Sequence, residues 1–191
     1  MAAVMPPPPL TTRPAATVTE APRAQPAQTG MWVAIATISM SFAALTSAMV
    51  VRQSGAPDWQ HFHLPSILYA NTAVLLISSL TLEWARRRSA AALSVTLGLG
   101  LLFVAGQITA WRQLSAQGLF LATAASSSFF YVFTALHGLH VLGGLGGVGY
   151  VLRRRLVTGG AAPVAFAAAA LYWHFMAVLW LYLLILLAAR V

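Results

Sequence analysis

The stretch PVAFAAAALYWHFMAVLWLYLLILLAA, residues 163–189, runs for 27 positions without a charged side chain and is closed by Arg190. A helix rises about 1.5 Å per residue, so about 20 apolar residues cross the roughly 30 Å of hydrocarbon in a bilayer. This stretch exceeds that length. A strand could not use it, because lipid offers no hydrogen bonds to an open sheet edge. Four more runs of the same character precede it. They are Trp32–Val51, closed by Arg52; Leu64–Trp84, closed by Arg86, Arg87 and Arg88; Ala90–Ala110, closed by Trp111 and Arg112; and Ser126–Leu152, closed by Arg153, Arg154 and Arg155. Glu83, at the end of its run, is the one charge inside any of the five.

The reading is an all-α, polytopic membrane bundle of five transmembrane helices. The expected helices are about 32–51, 64–85, 90–110, 126–152 and 163–189, within a transmembrane domain of residues 31–191. Pro65 and Pro163 are expected in first turns, where a missing N–H costs little. Composition agrees with this class: 7% of residues are charged and 59% are hydrophobic, against about 25% charged in a soluble domain. A chain of 191 residues cannot hide that much apolar surface from water, which argues against a soluble enzyme. Residues 1–30 differ. Seven of the ten prolines lie there, beside Ala, Thr and Gln, and the segment reads as a disordered Pro/Ala-rich tail.

All eleven basic residues are arginine. Alternate connections place Arg13, Arg23, Arg86, Arg87, Arg88, Arg153, Arg154 and Arg155 on one side, and Arg52, Arg112 and Arg190 on the other. The positive-inside rule then puts the N-terminus in the cytoplasm and the C-terminus outside. The formal net charge of +8 is read as a topology signal and not as a nucleic-acid site. The short connections after residues 85 and 152 make helices two and three, and four and five, antiparallel neighbours. No internal repeat is visible, which argues against a small inverted-repeat transporter.

An ionisable group inside a bilayer is a functional candidate, because its cost needs a reason. His137 and His140 stand three apart in the fourth run, His174 lies in the fifth, and His61 and His63 precede the second. One reading is a haem or copper site, since imidazole ligates both. The other is hydrogen bonding between helices. An H-x-x-H pair without a Glu at matching spacing favours the second. Glu83 is expected to pair with the arginines after it, with Arg87 at the i+4 position. Gly143 and Gly147 form a GxxxG pair suited to close helix approach. The chain contains no cysteine, so thiolate chemistry is excluded.

Three stretches together resemble subunit III of the haem–copper respiratory oxidases in its short five-helix bacterial form. They are LPSILYANTA (64–73) running into SSLTLE (78–83), FYVFTALHGLHVLGG (130–144) and YWHFMAVLWL (172–181). The resemblance covers about residues 31–190. It implies a non-catalytic subunit of a terminal oxidase that reduces oxygen to water and pumps protons. Such a subunit supports assembly, lipid binding and sustained turnover of the catalytic subunit.

On this resemblance the chain itself binds no haem, copper or other metal and holds no catalytic residue. Haem and copper belong to partner subunits, with subunit I, subunit II and other respiratory-complex subunits as partners, and bound phospholipid is expected. The lipid- or subunit-contact candidates are Glu83, Arg153, Arg154, Arg155, His137, His140, Gly143, Gly147, Trp173, His174 and Trp180. The implied location is the bacterial cytoplasmic membrane. Alternatives are the matching accessory of a quinol oxidase or nitric oxide reductase, or a stand-alone His-ligated haem or copper protein. Two departures stand out: the Glu usual in the family's first matching helix is apolar Ile38 here, and the Asp usual after Tyr-Trp-His-Phe is Ala177.

Overall fold

A computed structural model describes residues 26–55, 59–86, 89–159 and 163–190. These form five helices, α1 (Pro26–Ser54), α2 (Ile67–Ala85), α3 (Ala90–Ala116), α4 (Ala125–Thr158) and α5 (Pro163–Arg190), with no strand among the described residues. All five are long and apolar enough to cross a membrane.

The helices outrun the apolar stretches that announce them. α3 continues past Trp111 and Arg112 to Ala116, and α4 passes its three arginines to Thr158. Charge ends the part of a helix that lipid will accept; backbone caps end the helix. At α4 the stop is Gly159, in the left-handed region at φ 60°, where glycine pays no steric penalty. At α3 the start is Ser89, whose hydroxyl accepts from the Ala92 amide at 3.2 Å. Pro65 lies ahead of α2 rather than in it: its carbonyl accepts from Leu68, and that of Ser66 from Tyr69. α1 begins at Pro26, so residues 26–30, expected in the tail, are helical. The rest of the expected tail lies outside the described residues.

α2 and α3 pack along their length, as do α4 and α5, and α3 also lies against α4. α5 runs beside α1, α2 and α4 and reaches α3 through Trp173 and Trp180, whereas α1 leans on α5 and α4. α5 is therefore the most enclosed helix, with Trp173, Met176, Trp180 and Leu183 sealed from solvent. α1 is the least enclosed. Its ties are apolar and polar. Phe42 and Met49 are buried, with the Phe42 ring 6.2 Å from that of Phe133. Thr46 and Tyr182 share a hydroxyl hydrogen bond of 2.7 Å, and Gln53 donates to the Arg190 carbonyl, as does Trp59 of the connection that follows.

Candidate functional site

The apolar helices bring a few polar groups to the bundle's centre, and lipid obliges these to find partners within the protein. On the α2–α3 seam Asn71 Nδ2 donates to the Phe103 carbonyl at 2.9 Å. A Cβ on Gly106 would sit 2.4 Å from Asn71 Oδ1, so only glycine admits this amide. Two turns on, Ser78 donates to the Thr96 carbonyl, and Thr81 and Thr96 share a hydroxyl hydrogen bond. Between α2 and α5, Trp180 Nε1 donates to Thr72 Oγ1 at 2.9 Å. Between α3 and α4, Trp111 Nε1 donates to Thr134 Oγ1 at 3.0 Å.

His137 sits inside this layer with no exposed surface. The rings of Trp180 and Phe103 lie 5.0 and 5.9 Å from its own, centre to centre. His140, expected on the same face, turns toward α1. Its Nδ1 donates to the Leu136 carbonyl of its own helix at 2.7 Å, and its ring lies 5.9 Å from Phe42. Three residues advance a helix by 300°, and that offset splits the pair between two seams. His174 is elsewhere again, with Nδ1 2.5 Å from Ser79 Oγ and Nε2 3.6 Å from Glu83 Oε2. The three imidazoles thus face three different places. Among the described residues no group of three His, Cys, Asp or Glu side chains stands close enough to hold a metal.

Glu83 pairs with Arg86, one of the arginines expected as its partner, at 2.7 Å and three residues on. α2 ends at Ala85, and Arg87 lies outside the described residues. The pair is half exposed, and such pairs contribute at most about 1 kcal/mol. The other basic cluster divides. Arg155 turns inward, donating through Nη1 to the Ala85 carbonyl at 3.0 Å with its guanidinium 5.0 Å above the Phe166 ring. A cation there meets the negative end of the α2 dipole. Arg153 and Arg154 are exposed and, with Tyr150 and Thr158, line a recess of about 250 Å³.

Several candidates read from the sequence as contacts with lipid or another subunit are instead interior. Trp173, Trp180 and His137 are buried. Trp173 lies against two glycines: a Cβ on Gly144 would approach it to 3.0 Å and one on Gly100 to 2.7 Å. The expected Gly143–Gly147 pair makes looser contacts, with 3.8 Å to Tyr172 and to Ala169 respectively. α5 meets α4 one residue further round, at Gly144. Asn71, Ser78, Ser79, Thr96, Gly100, Gly106 and Gln107 were missed as a polar and small-residue lattice. The one signal for them was their presence within bilayer-length apolar runs.

Residues 31–189 match the protein family described as cytochrome c oxidase subunit III. Relatives include cytochrome c oxidase subunit 3 of Gallus gallus, 36% identical over 124 residues, covering 59% of this chain and 46% of that protein. The Danio rerio protein of the same name is 35% identical over 140 residues, covering 68% and 51%. Cytochrome bo(3) ubiquinol oxidase subunit 3 of Pseudomonas aeruginosa is 31% identical over 167 residues, covering 80% and 79%. The chain spans about half the length of the two animal relatives. Since the family match takes in all but the outermost residues of the five membrane-length helices, the chain belongs to the cytochrome c oxidase subunit III family.

Proposed function

We propose that this chain is the non-catalytic subunit III of a proton-pumping terminal respiratory oxidase in a bacterial cytoplasmic membrane. Its role is to support assembly and sustained turnover of a haem–copper catalytic subunit I, in company with subunit II. The observation that carries this reading is the divergence of the membrane imidazoles. His137 is stacked among Trp180 and Phe103, His140 is bonded to its own helix, and His174 is held by Ser79. That arrangement suits a scaffold. Haem and copper belong to the partner subunits on this reading. Ile38 and Ala177, apolar where the family usually carries acids, fit a chain that supports a proton pump without conducting protons.

Arg153 and Arg154 are the phospholipid contacts on this reading, because an exposed guanidinium matches a phosphate with several fixed donors. Their end of the bundle faces the cytoplasm by the arginine asymmetry. The test is mild-detergent purification through a tag on this chain. A haem-containing subunit should come down with it, and isolation of the chain alone and folded overturns the proposal. A quinol-oxidizing partner is the second reading, favoured by the near-full-length similarity to the Pseudomonas aeruginosa protein. The haem type and the electron donor accepted by the purified complex decide between the two.

A further inference from the structure

Two side chains at the middle of the bundle carry polar atoms that the fold buries and leaves unbonded among the described residues. Gln107 of α3 is 4% exposed and His137 of α4 is 0% exposed. Both amide atoms of Gln107 and both ring nitrogens of His137 are without a hydrogen-bond partner. The helix register puts the two at one depth. On one side of that level Trp111 bonds to Thr134, and on the other Phe103 packs edge-on against His137. Gln107 is four residues from both Trp111 and Phe103, one turn from each along the same helix.

Three polar side chains of the surrounding layer are already engaged. Thr134 accepts from Trp111 and donates to the Phe130 carbonyl, Thr72 accepts from Trp180, and Asn71 donates to the Phe103 carbonyl. Lipid supplies no partner either.

We propose that Gln107 and His137 together form an internal hydration site, holding at least one water that bridges α3 to α4 at the centre of the bundle. A neutral imidazole presents one donor and one acceptor, and a primary amide presents two of each. Water, with two donors and two acceptors, complements that set. An apolar guest would satisfy none of it. Among the described residues a cation would find neutral ligands only and no neighbouring carboxylate. Fixing a water in place costs less than leaving a buried donor and acceptor unpaired, and buried waters characteristically make about three such bonds. The bridge concerns the chain's own interior and does not rest on the oxidase reading.

The test is cryo-electron microscopy of the chain in the complex with which it purifies, at a resolution that shows ordered water. The expected result is a density peak about 2.7–3.2 Å from both a Gln107 amide atom and a His137 ring nitrogen. A dry contact, or a direct Gln107–His137 hydrogen bond with no peak, overturns the proposal. A second measurement uses thermal unfolding of Gln107→Leu, His137→Phe and the double variant. A shared water predicts coupling, so that the double variant melts no lower than the worse single one. Additive losses overturn it.

Discussion

The indole of Trp173 occupies the space that a side chain on Gly100 would need: a Cβ there would lie 2.7 Å from the ring and 2.6 Å from Leu145. α3, α4 and α5 meet at this point. Gly100→Ala must push a buried tryptophan or a buried leucine aside, and overpacking of this kind costs about 1–3 kcal/mol. Gly98→Ala, two residues away with nothing within 4 Å of its Cβ, is the control. Thermal unfolding should show the first variant clearly destabilised and the second unchanged or slightly stabilised.

The same comparison separates Gly144 from Gly143. Gly144→Ala brings a methyl to 3.0 Å from Trp173 and 3.2 Å from Tyr172, whereas a methyl on Gly143 meets only the Tyr172 hydroxyl at 3.8 Å. Gly144→Ala should lower the unfolding temperature and Gly143→Ala should not. Equal effects would mean that α5 packs on the GxxxG face after all.

Trp180→Phe keeps most of the ring packed against Phe103 and His137 but removes the donor to Thr72. The expected loss is about 1 kcal/mol. Thr72→Val should cost a similar amount, and the double variant should fall short of the sum of the two.

The arginines of α4 should divide in function. Arg155→Met removes the bond to the Ala85 carbonyl and the contact over Phe166, and should destabilise the chain by about 1–2 kcal/mol. Arg153→Gln with Arg154→Gln should leave stability unchanged while reducing the anionic phospholipid that co-purifies, measured by mass spectrometry of extracted lipid. Lipid loss confined to Arg155→Met would reverse these assignments.

Orientation can be read with a single thiol, because the chain has no cysteine of its own. Ser54 and Thr158 are exposed near opposite ends of the bundle. In intact cells an impermeant maleimide should label Ser54→Cys and spare Thr158→Cys. The opposite pattern would invert the topology.

The number of helices and the pairings of α2 with α3 and α4 with α5 were legible because each run is bilayer-length and almost free of charge and the connections after α2 and α4 are short. The ends were not, since an arginine such as Arg153 marks where lipid stops and says nothing of where the backbone is capped. Facing was the other limit. His137 and His140, and Gly143 and Gly144, differ by fractions of a turn, and which one looks inward depends on where α5 crosses α4. That crossing is a tertiary fact, set by Trp173 seating on Gly100 and Gly144. The division of the arginines was hidden for the same reason, because Arg155 finds its partners on α2 and α5.

The enclosure of α5 also has a meaning in time. A chain made from its N-terminus delivers α2, α3 and α4 to the membrane before Trp173 and Trp180 exist. Until then Gly100 and Gly144 face a gap, Thr72 has no indole to bond, and the seams that α5 itself forms cannot close. The fifth helix acts as a keystone: insertion and tight packing are separate events, and the second waits for the last span to arrive.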